Sequence, residues 1–212
     1  MTGTGGADRP GTGPGKARER LIVGLSGASG AILGIRLLEV LSDLDLEVHL
    51  VVSRSAEQTI LAETSWKVDE VKALADVVHD FQDIGASIAS GSFRALGMAV
   101  IPCSMKTLSA LAHSYDDNLL VRAADVCLKE RRRLVVVPRE SPLHRGHMGL
   151  MAQVDSLGAM IVPPMMTFYH HPRKVEDLID HLVGKVLNCF GIDNRLLGEW
   201  GGGRLQRPGP SA

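Results

Sequence analysis

Short apolar runs alternate with amphipathic stretches along most of the chain, a pattern typical of strands and helices in βαβ units. Buried strands are predicted at residues 21–23, 47–52, 97–102, 134–137 and 159–162. Helices are predicted from residue 31 onward and at residues 55–63, 69–75, 103–113, 123–133, 146–157 and 175–190. The alternation predicts an α/β fold in which helices cover both sides of a central parallel sheet.

The two ends of the chain differ in composition from its centre. Residues 1–20 are rich in Gly, Pro and Thr, and the last residues return to a Gly- and Pro-rich composition. We therefore expect a disordered N-terminal arm (1–20), one folded domain (21–195) and a C-terminal tail (196–212). Within the domain, residues 80–92 lack periodicity and are predicted to form a surface loop of a kind that often has a function.

The first predicted strand leads into a glycine-rich turn and then into a helix, over residues 21–34. This order directs backbone N–H groups and a helix N-terminus at an anion, usually a phosphate. The glycines Gly24, Gly27 and Gly30 do not have G-x-G-x-x-G spacing, and no Gly-Lys-Ser/Thr follows, which excludes a P-loop. Tight packing between the helix and the strand is the alternative explanation for these glycines.

Polar residues follow several of the predicted strands. The carboxyl ends of parallel strands meet at one edge of a sheet, so these residues are expected to lie near one another. They are residues 26–30, Ser53, residues 104–107, Arg139 and Glu140. Hydroxyl groups, small side chains and one Arg–Glu pair suit a phosphorylated cofactor with polar edges better than a metal ion.

Some of these residues also have a purely structural interpretation. Ser29 either binds a phosphate or a flavin edge or caps the following helix, and Ser104 and Thr107 have the same two interpretations. Cys103 is either a nucleophile or a small packing residue at a strand end.

Glu140 is a candidate for proton transfer. It follows a buried strand beside Arg139, where burial and a nearby cation would act on its charge in opposite directions. The alternative is a structural ion pair with Arg139 or Arg122. His144 and His147 are three residues apart, but no carboxylate or cysteine completes a set of metal ligands, so no metal site is predicted.

Composition excludes several classes of function. A net charge of -1, an isoelectric point near 6.7 and only 4% aromatic residues argue against nucleic-acid binding. The three cysteines Cys103, Cys127 and Cys189 are far apart and odd in number, so neither a disulfide framework nor a zinc site is expected. No bilayer-spanning apolar run and no secretory signal are recognised, so a cytoplasmic protein is expected.

Six motifs in one order resemble the flavin prenyltransferases of the UbiX type, a flavoprotein family that includes the small subunit of hydroxyarylic acid decarboxylases. The motifs are SGASGA (26–31) with Gly34 downstream, ASGS (89–92), PCSMKT (102–107), RAADVCLKERR (122–132), VVPRE (136–140) and FYHHP (168–172) followed by VEDLIDHLVGK. The resemblance extends over residues 21–194, nearly the whole predicted domain.

The resemblance implies a Rossmann-like three-layer αβα fold and a homo-oligomer, in this family a dodecamer built of trimers. It implies that the chain binds FMN, uses no metal, and transfers a dimethylallyl group from dimethylallyl phosphate, or in some members the diphosphate. The acceptor is N5 of reduced FMN, and ring closure onto C6 follows. The prenylated FMN then serves a UbiD-type decarboxylase, which is the implied partner.

Residue-by-residue matching implies three groups of site residues. The flavin-binding group is Gly27, Ala28, Ser29, Ser53, Ser104, Met105, Lys106, Thr107 and Arg122. The group at the prenyl phosphate is Lys129, Arg139, Glu140, Tyr169 and Lys185. Ser29, Glu63 and Glu140 are the implied catalytic residues, and Glu63 is expected to act in the site of a neighbouring subunit.

One position departs from the family pattern, and two other functions stay open. Ile84 stands where some members have an aromatic residue, and Trp200 is a candidate to replace that aromatic wall. An FMN-dependent cysteine decarboxylase of the same fold is one alternative, although its Pro-Ala-Ser-Ala-Asn-Thr-like motif has no match here. The other is a non-catalytic flavin-binding subunit of an aromatic-acid decarboxylase.

Overall fold

The structure is a computed structural model that describes residues 18–197. Its strands are β1 (Glu19–Leu25), β2 (Leu46–Val52), β3 (Val77–His79), β4 (Gly97–Cys103), β5 (Arg133–Pro138) and β6 (Met160–Ile161). They form one parallel sheet in the order β3-β2-β1-β4-β5-β6. This arrangement confirms the Rossmann-like α/β fold.

Helices cover both faces of the sheet. They are α1 (Ala31–Ser42), α2 (Arg54–Glu63), α3 (Val68–Lys72), α4 (Met105–Ala112), α5 (Leu119–Lys129), α6 (Arg145–Ser156) and α7 (Val175–Phe190). The apolar core on one face includes residues of α1, α2, α3 and α7, and the core on the other face includes residues of α4, α5 and α6. Strand β1 shows why both faces need cover: Leu21, Val23 and Leu25 enter the first core, whereas Ile22 enters the second. No helix within residues 18–197 has the length and apolar character needed to span a bilayer.

Some elements differ from the prediction. Strand β1 begins at Glu19, inside the predicted arm, because its backbone pairs with β2 from that residue onward. Strand β3 was not predicted, since it is only three residues long and pairs with β2 alone. Helix α5 begins at Leu119 rather than at residue 123, because the Asn118 side chain accepts a hydrogen bond from the N–H of Val121, and it ends at Lys129 rather than at residue 133.

The cap of α2 also lies before residue 55, where the sequence predicts that this helix begins. The N-cap is Ser53, whose hydroxyl oxygen accepts a hydrogen bond from the N–H of Ala56 at 3.1 Å. Ser53 has extended backbone dihedral angles, which a helix requires at this position, whereas Ser55 already lies in the first turn. The cap is therefore the residue that directly follows β2.

The strand order creates a crevice at one edge of the sheet. From β1 the chain proceeds outward to β2 and β3, and it then returns to place β4 on the other side of β1. Connections therefore leave β1 and β4 in opposite directions, and ligands of such folds bind beyond the strand ends at this point. The predicted convergence of polar residues lies here.

Candidate functional site

Ser26 joins the ends of the two central strands. Its hydroxyl donates a hydrogen bond to the carbonyl oxygen of Pro102 (3.1 Å) and accepts one from the N–H of Ser104 (2.8 Å). Its own N–H donates to the same Pro102 carbonyl at 3.2 Å. The residue is only 2% exposed, so these bonds are shielded from water. They fix the start of α4 relative to the glycine-rich turn after β1.

Replacing Ser26 with alanine is expected to lower the free energy of unfolding by about 1–3 kcal/mol, because it leaves the Ser104 N–H without this partner. Urea denaturation measures the change. The control is Ser42→Ala, which removes an exposed hydroxyl bonded to the Glu39 carbonyl, and its effect should stay within about 0.5 kcal/mol. Equal effects of the two substitutions would contradict this role of Ser26.

A cavity of about 720 Å³ opens beside this junction. Five of the residues matched to flavin binding line it, namely Gly27, Ser53, Ser104, Lys106 and Thr107. Sequence reasoning missed other lining residues, among them Arg54, Phe81, His113, Tyr115 and Asn118. The volume lies within the roughly 300–1,000 Å³ typical of small-molecule sites.

Two helix N-termini border the cavity. Ser53 caps α2, and Ser104 caps α4 by accepting a hydrogen bond from the N–H of Thr107 at 3.2 Å. The structural interpretation of Ser104 as a cap is thus confirmed, and the same residue also lines the cavity. Arg54 and Lys106, each in the first turn of one of these helices, add positive charge. Two helix dipoles and two cations make this end of the cavity suitable for a phosphate.

Gly27 gives the cavity wall its shape. A Cβ atom at this position would lie 2.2 Å from the Cβ of Ser55 and 3.1 Å from its carbonyl carbon, so no larger residue fits. The bare backbone leaves room for a flat ring system beside the turn. Ala28 and Met105 do not line the cavity: Ala28 is buried, and Met105 packs on the core formed with α4 and α5.

Glu63 caps helix α1 from the end of α2. Gly30 is the N-cap of α1, with a left-handed φ of 95° and no side chain to satisfy the free N–H groups. The Glu63 Oε2 atom accepts hydrogen bonds from the N–H groups of Gly30 (2.7 Å) and Ala31 (3.3 Å), and Ser29 donates its hydroxyl to the same carboxylate. Ser29 is therefore not the helix cap. Glu63 lies at this chain's own turn, and its expected action in a neighbouring subunit's site stays a prediction.

The surroundings of Glu63 favour the ionised form of its carboxyl group. Burial raises the pKa of its carboxyl group, but hydrogen bonds from Gly30, Ser29 and Ala31, together with the charge of Arg139, hold that pKa below its usual value. A full negative charge at the positive end of α1 follows. The Ser29 hydroxyl thus donates to an anion, and its own oxygen can accept a proton from a ligand.

Arg139 and Glu140 follow β5, close to this cluster. The Arg139 N–H donates to the Cys103 carbonyl at 3.0 Å, which places it beside the end of β4. Contrary to the expected burial, both residues are exposed, because the chain leaves the sheet directly after Pro138. Within residues 18–197 no ion pair joins Glu140 to Arg139 or Arg122, and its carboxylate accepts a hydrogen bond from the Ser141 N–H. Both interpretations of Glu140 stay predictions.

The remaining matched residues do not line the cavity. Arg122 donates hydrogen bonds to Asp116 (3.0 Å) and to the Ala89 carbonyl (3.2 Å). Lys129 lies at the other end of α5, roughly 15 Å along the helix from Leu119 at about 1.5 Å per residue, and pairs with Glu130. Tyr169 precedes α7, and Lys185 is exposed on it. Their distribution suits a site completed at a subunit interface.

The other candidates from sequence have structural roles or stay untested. Burial raises the pKa values of the Cys103 and Cys127 thiols, that of Cys127 to about 12, so both pack as thiols. The His144 ring caps α6 by accepting from the Gly146 N–H, and the described residues contain no cluster of three or more possible metal ligands. Ile84 is 59% exposed, and Trp200 lies outside the described residues.

Comparison with known proteins identifies related sequences over most of the chain. Residues 14–187 match the family described as Flavoprotein. A flavin prenyltransferase UbiX of Escherichia coli K12 is 56% identical over 187 residues, which cover 87% of this chain and 99% of the relative. The flavin prenyltransferase UbiX of Thauera aromatica is 55% identical over 183 residues, covering 86% and 94% of the two chains.

Solved structures agree with these sequence matches. The crystal structure of AnUbiX in complex with FMN and dimethylallyl pyrophosphate superimposes with a TM-score of 0.87 and 48% identity, covering 89% of this chain and 100% of that one. A dodecameric FMN-dependent UbiX-like decarboxylase from Escherichia coli O157:H7 gives 0.84 at 48% identity, covering 86% and 100%. The peptidyl-cysteine decarboxylase EpiD gives 0.60 at only 19% identity, covering 82% and 99%, which shows a shared fold alone.

Proposed function

Since the chain belongs to the flavoprotein family, and within it to the flavin prenyltransferases of the UbiX type, we propose that it transfers a dimethylallyl group from dimethylallyl phosphate to reduced FMN. The observation that carries this proposal is the position of the Ser29–Glu63 pair at the turn that also forms a wall of the cavity bordered by two helix N-termini. An alkylation at this turn requires a hydroxyl group that is held by an anion. It also requires a cation that stabilises the leaving phosphate.

The residues that line the cavity fit FMN. The N-termini of α2 and α4, with Arg54 and Lys106, would hold its phosphate, and the backbone at Gly27 would admit its ring system. When bound and reduced, the flavin supplies the nucleophilic N5 and C6 positions. Phe81 and Tyr115 at the cavity wall contribute apolar surface that excludes water.

The chain's own residues would then transfer protons and stabilise the charge of the leaving group. Ser29 donates to the Glu63 carboxylate, and its oxygen would accept the proton released when the C–N bond forms. Arg139 supplies positive charge to the phosphate as the C–O bond breaks. The departing phosphate carries that proton away, which balances the first step. Glu140, exposed beside Arg139, is placed to exchange the proton that moves during ring closure.

Neighbouring subunits are proposed to complete the donor site. Lys129, Tyr169 and Lys185 carry suitable groups for a phosphate but lie away from the cavity of their own chain. Exposed apolar side chains near Tyr169, namely Met165, Met166 and Phe168, provide surface for subunit contact. We therefore propose a homo-oligomer, and the dodecamer of the Escherichia coli O157:H7 structure is the assembly we expect.

We further propose that the protein works in the cytoplasm and supplies prenylated FMN to a UbiD-type decarboxylase that acts on aromatic acids. Its three cysteines form no disulfide, which suits a reducing compartment.

A coupled assay distinguishes a protein that prenylates FMN from one that only delivers the flavin. The protein, reduced FMN and dimethylallyl phosphate are incubated without oxygen, and a UbiD-type apo-decarboxylase is then added. We expect decarboxylation with the wild-type protein and little with Ser29→Ala or Glu140→Gln, although both variants retain FMN. Full activation by both variants would instead support the non-catalytic flavin-binding subunit.

A further inference from the structure

His181 on α7 takes no part in the chemistry proposed above, yet it contacts a residue of the proposed donor site. Its ring is buried, with 7% of the residue exposed. The Nε2 atom lies 3.3 Å from the hydroxyl oxygen of Tyr169, and the two rings pack edge to face with centroids 5.5 Å apart. The Tyr169 hydroxyl thus contacts a buried group although 46% of the residue is exposed.

A second histidine fixes the His181 ring. The His170 ring stacks on His181 with centroids 4.5 Å apart and an angle of 7° between the planes. Tyr169 and His170 are consecutive in the chain, so one segment contacts two sides of the same imidazole. The segment before α7 is therefore held against the helix by ring contacts as well as by a hydrogen bond.

The charges around His181 favour its neutral form. Burial, followed by the charges of His170 and Lys185, lowers the pKa of its imidazole. Other charged groups lie on α7 itself and on α1, which packs against it: Asp177 and Asp180 on α7, and Arg36 and Glu39 on α1. Arg36 pairs with both Glu39 and Asp180, and Asp177 accepts hydrogen bonds from the N–H groups of Arg173 and Lys174, which precede α7.

Lys185 lies close to His181 on helix α7. Residues four apart lie on the same face of a helix, so His181 and Lys185 are neighbours on α7. The Tyr169 hydroxyl contacts His181, and Lys185 lies one helical turn further along α7, where its charge acts on His181. A hydroxyl and an ammonium group at one place form a small anion site.

We propose that His181 is a positioning residue that holds the Tyr169 hydroxyl beside Lys185, where the two groups bind the phosphate of the prenyl donor. The inference rests on the proposed function, because it takes Tyr169 and Lys185 as ligands of that phosphate. His181 itself touches neither flavin nor donor.

A double-mutant cycle tests the coupling. His181→Phe retains a flat buried ring but removes the nitrogen, and we expect it to lower kcat/KM for the donor about tenfold, mainly through KM. His181→Gln, which keeps a hydrogen-bonding group, should recover part of this loss. In a Tyr169→Phe background, His181→Phe should have no further effect. The control Glu176→Gln, an exposed change on α7, should leave kcat/KM unchanged. An undiminished tenfold loss in the Tyr169→Phe background would overturn the proposal.

A spectroscopic measurement separates this proposal from the proposed function. The chain has two tyrosines, so labelling with [ζ-¹³C]tyrosine gives two signals, and Tyr115→Phe assigns them. The Tyr169 signal should titrate as His181 gains a proton on the acid side of the usual histidine range, and His181→Phe should abolish this step. No flavin or donor is needed. An unchanged titration in His181→Phe overturns the positioning role, whereas a confirmed titration without any prenyl transfer would overturn only the proposed function.

Discussion

Replacing Gly27 with alanine is expected to weaken FMN binding at least 100-fold. The added methyl group would lie 2.2 Å from the Cβ atom of Ser55, far inside van der Waals contact, and 3.1–3.2 Å from its backbone. Ser55 lies in the first turn of α2, which Ser53 caps, so relief requires that the N-terminus of this helix move. That N-terminus borders the cavity, and moving it displaces the proposed phosphate site. Flavin fluorescence titration measures the affinity, and a factor of 100 corresponds to about 2.8 kcal/mol.

Two further variants separate this effect from general damage to the fold. Gly149→Ala on α6 places a methyl group where no atom lies within 4 Å, so FMN affinity should not change and helix stability should rise by up to about 1 kcal/mol. Gly27→Ala combined with Ser55→Gly removes the 2.2 Å conflict and leaves only the backbone contacts, so part of the affinity should return. If Gly27→Ala alone bound FMN as tightly as the wild-type protein, Gly27 would not form a wall of the FMN site.

Glu63→Gln is expected to reduce the rate of prenyl transfer by about 10²–10⁴-fold while FMN stays bound. The amide oxygen can still accept from the Gly30 N–H, but a neutral amide does not draw the Ser29 hydroxyl as a carboxylate does. Glu57→Gln is the matched control on the same helix, because Glu57 pairs with Lys72 at 2.7 Å on the surface. Single-turnover rates with saturating donor measure the effect. Equal rates for the two variants would show that the Glu63 charge has no catalytic role.

The same substitution has a signature in the dependence of stability on pH. The pKa of Glu63 is lower in the folded protein than in the unfolded chain, so the unfolded state binds more protons in acid. Its stabilising contribution is therefore complete above the unfolded pKa and is lost as pH falls through the folded value. Glu63→Gln should be less stable than the wild type at neutral pH, and the difference should shrink as the pH is lowered.

The fold was largely predictable because each interior strand is a continuous apolar run and each long helix is amphipathic. Strand β3 was missed, since three residues at the sheet edge produce no usable pattern. The start of α5 was missed for a different reason: the Asn118 cap precedes a run of apolar residues that hides the helical period. Local capping geometry, rather than hydrophobic pattern, sets this boundary.

The site was predictable where residues follow strands and less so where distant helices meet. Ser53, Ser104 and Thr107 line the cavity because the parallel topology places strand ends together. The link between Glu63 and Ser29 depends on how α2 packs on α1, which no spacing in the sequence reveals. A cue did exist, since Gly30 has no side chain to cap α1 and a partner from elsewhere was needed.

The mass of the recovered flavin tests the central claim most directly. The purified protein is incubated without oxygen with reduced FMN and dimethylallyl phosphate, and the flavin is released and examined by mass spectrometry. We predict that the flavin gains a single five-carbon unit, and that the Glu63→Gln protein produces far less of this species in the same time. Unmodified flavin, recovered from wild-type protein that has demonstrably bound it, would contradict the account.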